Sequence, residues 1–199
     1  MPAANRVDDE AAIRGFVADR GSGTLVTVGP DGLVDATLLP VLWADGLVVA
    51  HLARANDHWR RMATGAAGLL VVQGPEAYVS PSWYPSKAEH GRDVPTWNYS
   101  AVHLRGPVTV HDDPAWLHAV VSRLTDRHEA GREHPWAVTD APERYVQGML
   151  RAIVGVSLRV ESVEAKAKWS QNRSEPDRAG VLAGLADPAA RARVESGSL

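Results

Sequence analysis

The chain has 199 residues, 45% of them hydrophobic and 23% charged, with a formal net charge of −3. That balance suits one globular domain over 1–199, and its slight acidity speaks against a surface that neutralises nucleic-acid phosphates. The absence of cysteine excludes disulfides, thiolate metal sites and cysteine nucleophiles. No stretch nears the roughly 20 apolar residues of a membrane span, and the polar start is no signal peptide, so a cytoplasmic protein without a membrane role is expected.

In chain order, Asp8 to Asp19 reads as a short helix, with Ile13, Phe16 and Val17 on one face and an Asp cap. Thr24 to Val28 is a β-branched strand, and Pro30-Asp31-Gly32 turns it into a strand over Leu33 to Trp43. Ala44-Asp45-Gly46 is a second hairpin turn, followed by a strand over Leu47 to Ala50. A helix is expected over Asn56 to Thr64, and strands over Leu69 to Gln73 and Glu76 to Ser80, parted by a Gly74-Pro75 turn. Residues 81–95 read as a long loop, the kind that often carries function.

Ala101 to His111 returns to strand, and Asp112 or Asp113 caps a helix running to about Glu129. Pro142 to Ile153 reads as helix and Val154 to Val163 as strand. Ser174 opens a helix ending near Gly184 or Leu185, and the Ala/Arg-rich tail is expected to fray. Six or seven strands with hairpin turns suggest a closed antiparallel barrel with helices outside, a mainly β, α+β architecture.

Four patches can carry chemistry. In His51-Leu-Ala-Arg54-Ala-Asn56, a strand end before a helix, Arg54 can grip a phosphate with two N–H groups; it can equally pair with a surface carboxylate while Asn56 merely caps. From Gln73 to Lys87 hydrogen-bonding and aromatic residues are dense; Ser82, Trp83, Tyr84 and Lys87 could surround a planar ring or simply close the barrel end. In Val94-Pro-Thr-Trp-Asn-Tyr99, Trp97 and Tyr99 are flat groups for a ring, a second subunit or the core. Lys168, Ser170, Gln171, Asn172 and Arg173 form a polar cluster before a helix, suited to a phosphate or to solvent. There is no Gly-x-Ser-x-Gly elbow, P-loop or dinucleotide fingerprint, and no histidine pair spaced for zinc on a helix.

Taken in order, the stretches His51 to Asn56 with Trp59-Arg60, Gln73-Gly-Pro with Ala77-Tyr78, Ser80 to Lys87, Val94 to Tyr99 with Ala101-Val-His103, Ile153-Val-Gly155, and Ser170 to Ser174 with Asp177-Arg178 resemble the PaiB family of FMN-binding proteins, often labelled negative transcriptional regulators. The resemblance runs from about Gly23 to Leu185. It implies a split β-barrel like that of the pyridoxamine-phosphate oxidases, a homodimer with FMN at the subunit interface, and a redox or regulatory role towards a small molecule. On that basis Arg54, Lys168 and Arg173 are the implied anion binders. Gln73, Ser82, Trp97, Asn98 and Gln171 are candidates for the ring or ribityl chain, with His51, Asn56, Trp83, Lys87 and Ser170 completing the cofactor set. His103 and Tyr84 are the conceivable proton donors.

Departures from the family pattern are Met1-Pro-Ala-Ala for Met-Tyr-x-Pro, Leu38 for a strand histidine, and Asn56-Asp57 for Asn-Pro. The piperazate synthases, relatives that use haem b, suggest an alternative in which His51 is the axial ligand. The family label suggests a further one, a transcriptional regulator without catalysis. The net charge and the lack of a reading helix argue against direct DNA binding.

Overall fold

The computed structural model describes residues 2–63 and 65–199. Backbone contacts divide the chain into two compact units. The first comprises Met1–Phe16, Val72–Val102 and Glu164–Leu199; the second comprises Val17–Val71 and His103–Val163.

In chain order the elements are β1 (Arg6–Val7), α1 (Glu10–Arg20), β2 (Ser22–Val28), β3 (Val34–Pro40), β4 (Leu42–Ala44), β5 (Leu47–Ala53), α2 (His58–Arg61), β6 (Ala67–Val79), α3 (Ser86–His90), β7 (Thr96–His111), α4 (Pro114–Glu129), α5 (Glu143–Leu150), β8 (Ile153–Arg159), β9 (Ser162–Lys168), α6 (Glu175–Gly184) and α7 (Pro188–Ser196). The strand order is β3-β2-β6-β7-β8-β5-β4, with β9 pairing to both β7 and β1. Every pairing with a resolved register is antiparallel. β3 and β4 end the hydrogen-bonded path, so the closed barrel expected from the hairpins is an open, split sheet.

In the second unit the β2–β3 hairpin turns at Gly32, whose φ of 79° is one that L side chains rarely adopt. Leu25, Leu39, Val41, Val48, Ala50, Leu70, Val156 and Leu158 face one another as its core. Their alternation with exposed residues along the strands selects this face. On the other face of β5, α4 packs Val120 and Leu124 against Val49. Asp113 starts α4 by accepting from the N–H groups of Ala115 and Trp116, with Pro114 in the first turn.

His51 of β5 pairs with Gly155 of β8, which pairs with His111 of β7, so the three lie in one row across the sheet. Trp116 of α4 covers that row. Its ring stacks on His111 at 4.0 Å between centroids, and a Cβ on Gly155 would lie 2.1 Å from it.

In the first unit, Trp169, Val181, Ala190 and Val194 are fully shielded from solvent. Trp83 lies against α6 where Gly180 and Gly184 leave room; a Cβ on Gly184 would come within 2.3 Å of the indole. Arg6 and Val7 of β1 pair with Lys166 and Ala165 of β9.

Several expectations need correction. The Leu33 to Trp43 strand is divided at Val41, which follows the positions of β3 and precedes β4. The helix expected from Asn56 is one turn, α2, and its Thr64 end lies outside the described residues. β6 runs unbroken through Gly74-Pro75, because Gly74 serves close packing against Phe16 and not a turn. β7 begins five residues before Ala101, and α3 occupies part of the expected 81–95 loop. Val154 to Val163 is two strands, so Lys166 and Lys168 sit on β9 and not in a loop. The tail forms α7, capped by Asp187.

Candidate functional site: a cationic cluster on β9

Lys166 and Lys168 alternate with the buried Ala165 and Ala167, so both lysines project from one face of β9. Lys168 donates from Nζ to Thr96 Oγ1 at the start of β7. Lys166 donates to the Tyr99 hydroxyl, its Nζ 4.7 Å from the ring centroid. Arg173, in the loop after β9, donates from Nη1 to Asp93 at 2.6 Å and lies 4.2 Å from the Tyr84 ring centroid.

Burial pushes the Lys168 ammonium below the usual lysine range, and the Lys166 and Arg173 charges push it further the same way. Asp93 pairs with Arg173 alone among these cations. Lys168 therefore stands beside the Lys166 ammonium and the carboxylate-paired Arg173, with a neutral hydroxyl as its own bonded partner. An anion placed there would relieve the repulsion.

Two exposed aromatics lie in the same unit. Trp97 and Tyr78 pair with ring centroids 6.2 Å apart and planes tilted by 59°. They are 46% and 47% exposed, unusual for groups whose burial is worth so much. Alternation along β7 puts Trp97 on the side of Tyr99, while Asn98 and Ser100 point inward and are fully buried.

The other residues expected at the site fall into three groups. Lys87 and Gln73 are exposed, Gln73 donating to Glu76 at 2.6 Å. Ser82 is exposed and shares a hydrogen bond with Ser80, while Trp83 packs on α6.

The second group, buried Asn98 and Ser170 with half-buried Gln171, holds the fold. Asn98 Nδ2 donates to Ser170 Oγ, and Trp169 Nε1 donates to Ser100 Oγ. Gln171 accepts from the Trp169 N–H and donates to the carbonyls of Ala167 and Gly197. Asn98, Ser170 and Gln171 therefore tie β7, β9 and the C-terminal end together, whereas Asn98 and Gln171 were expected at the ring or ribityl chain and Ser170 in the cofactor set. Asn98 Oδ1 is buried without a partner.

The third group belongs to the second unit. Arg54 donates from Nε to the Arg151 carbonyl at 2.9 Å, from Nη2 to the Ile153 carbonyl at 3.0 Å, and from both Nη atoms to the Asp112 carboxylate. Four donations leave little of its five-donor fork for a phosphate. The expected anion grip is here an ion pair with a surface carboxylate that fastens the end of β5. Asn56 Oδ1 accepts from the His58 N–H two residues on and its Nδ2 donates to Thr37, a local turn ahead of α2, whose N-cap is Asp57. His51 Nδ1 is buried without a partner, and burial holds that imidazole below the usual histidine range.

Thus Lys168 and Arg173 come together, while Arg54 belongs to the other unit and is otherwise engaged. Thr96, Tyr78 and Asp93 were not anticipated. Tyr78 and Thr96 stand within quoted motifs, but nothing in spacing marks Asp93 as the partner of a cation 80 residues away. Among the described residues no helix is long and apolar enough to cross a membrane, and no group of three or more acidic or histidine side chains could hold a metal ion.

This architecture, a mostly antiparallel split sheet with flanking helices, recurs in several solved structures. The FAD and haem binding protein of Mycobacterium smegmatis superposes with a TM-score of 0.64 at 19% identity, covering 91% of this chain and 80% of that one. The conserved hypothetical protein Rv2991 of Mycobacterium tuberculosis gives 0.62 at 18%, covering 88% and 94%. HutZ, the haem storage protein of Vibrio cholerae, gives 0.51 at 12%, covering 79% and 94%.

Residues 1–162 match the family described as "Putative FMN-binding domain". The Bacillus subtilis protein named protease synthase and sporulation protein PAI 2 is 31% identical over 186 residues, 92% of this chain and 86% of that protein. The chain belongs to this PaiB-like FMN-binding domain family.

Proposed function

We propose that the chain binds FMN, with the phosphate held by Lys168, Lys166 and the exposed part of Arg173, and the flat ring resting against Trp97. The two ammonium groups on one face of β9, each bonded to a neutral hydroxyl and with Lys168 partly buried, carry this reading. An isolated ammonium would be an ordinary surface group; one depressed by burial first and by neighbouring cations second gains by receiving an anion. Thr96 orients the Lys168 ammonium and Tyr99 orients that of Lys166, so the cations are set before a ligand arrives. Tyr78, tilted against Trp97, stiffens the aromatic platform. Bound FMN would supply electron or hydride transfer to a small molecule, as flavins do, while the chain supplies grip and orientation. The family match and the flavin-binding neighbour support the cofactor class.

The active form is proposed to be a homodimer. Along β3, Val34 and Leu38 expose 65% and 69% of their surface, an apolar stripe suited to a second copy.

A second reading, haem, rests on His51. Its buried, partnerless Nδ1 belongs to an imidazole kept neutral, the form that binds iron. The absorption spectrum of the purified protein, after addition of each cofactor in turn, separates the two. Flavin bands with the ring's fluorescence altered are expected. A Soret band that disappears in His51→Ala, with no response to FMN, would replace flavin by haem.

A further inference from the structure

In the second unit a cavity of about 430 Å³ lies between the start of α4 and the end of α5. Pro114, Leu117 and Leu150 form an apolar wall, Leu117 and Leu150 being almost fully buried. The polar remainder is Arg54, Asp112, Gln147 and Arg151. A mostly apolar hollow of a few hundred Å³ with a few polar groups is the usual form of a small-molecule site.

The charges around it are unequal. Arg54 and Asp112 hold each other through both guanidinium Nη atoms and cancel. The carboxylate is thereby occupied, and the hydrogen bonds from Arg54 hold it below the usual aspartate range, so it stays ionised and paired. Arg151, the residue that closes α5, has no side-chain partner among the described residues. Its guanidinium lies beside Gly148, where a Cβ would stand 3.9 Å from Nη2, so the helix surface leaves it room. The nearest acidic group on the same helix, Glu143, accepts from Gln147 at 3.0 Å and sits eight residues away, about 12 Å along the axis.

We infer that this cavity binds a small monocarboxylate with an apolar body, its carboxylate on Arg151 and its body against Pro114, Leu117 and Leu150. One free guanidinium matches one carboxylate in charge and in its planar, two-pronged geometry. A phosphate dianion would meet only one free cation and would face Asp112. An organic cation would find the one acidic group already paired. The site is separate from the β9 cluster and does not rest on the flavin reading.

The test uses the full chain and isotope-edited NMR, with benzoate, benzylamine and benzyl alcohol as probes of one shape and three charges. Saturable benzoate shifts at residues 112–117 and 147–151 are expected, with benzylamine at least about tenfold weaker. Arg151→Gln keeps the backbone carbonyl that Arg54 uses, and it should weaken benzoate about tenfold or more, the worth of a charge-assisted hydrogen bond. The inference is overturned if benzoate produces no saturable shifts, if they map elsewhere, if benzylamine binds equally, or if Arg151→Gln changes nothing.

Discussion

His58 shows how a single side chain can set the pH range of this fold. Its Nε2 lies 2.9 Å from Thr27 Oγ1 and its Nδ1 lies 2.8 Å from Thr37 Oγ1, in a buried position. Burial lowers its affinity for protons, and the Arg61 charge does so to a lesser degree against the opposing pull of Asp35. His51 and His111 are held low by burial as well. For a histidine depressed in this way, the unfolded chain takes up its proton first as pH falls. Stability is therefore full above about pH 6.5, the unfolded value, and declines below it. Urea midpoints from pH 8 to pH 5 should fall, and His58→Gln, though less stable at pH 8, should show a shallower decline. Equal slopes in the two proteins would remove His58 from the account.

At the same scale, sequence reading named Lys168 and Arg173, which the fold brings together, together with Arg54, which it does not, and named none of their partners. Lys168 and Arg173 stood out because they are basic residues beside Gln and Asn in a short stretch. That Arg54 meets Asp112, 58 residues on, is a tertiary fact with no local signature. Both outcomes for Arg54, phosphate grip or carboxylate pair, were open from its spacing, and the structure selects the pair.

Among the elements, those with local signals were readable and those set by packing were not. Asp113-Pro114 and Ser174 before Pro176 marked true helix starts. The same signature at Asp187-Pro188 announces α7, whose Ala190 and Val194, four apart, give one buried face; the Ala/Arg composition around them masked it. Glycine misled at Gly74, where a Cβ would come within 2.7 Å of the Phe16 ring, so close approach explains the residue and no turn is needed.

Gly155 presents the same physics and a sharper test. With Trp116 lying where its Cβ would go, Gly155→Ala should destabilise by about 2 kcal/mol or more, within the range for overpacking a closed site. In a Trp116→Leu background the same change should cost less, a non-additivity that a double-mutant cycle of urea midpoints reads directly. Strict additivity would mean that the indole does not dictate glycine at this position.

For the whole molecule, the resemblance anticipated the split sheet, while hairpin counting alone suggested closure. Pairing across a sheet is decided by contacts distant in sequence, and the single-residue break at Val41 between β3 and β4 is too small to read as the end of a path. Self-association belongs to this scale too. The exposed stripe on β3 predicts that Leu38→Lys, which places a charge in the proposed interface, shifts sedimentation towards the monomer. A wild-type chain that sediments as a monomer at all concentrations would contradict it.

The central claim is that crowded cations on β9 bind the phosphate of FMN, and titration of wild type and Lys168→Met with FMN tests it most directly. Removing one of several like charges should leave thermal stability unchanged or raised, so lost binding cannot be blamed on unfolding. The account predicts FMN affinity reduced about tenfold or more, with a weaker salt dependence than wild type. Equal affinity in the two proteins, at every salt concentration, would contradict it.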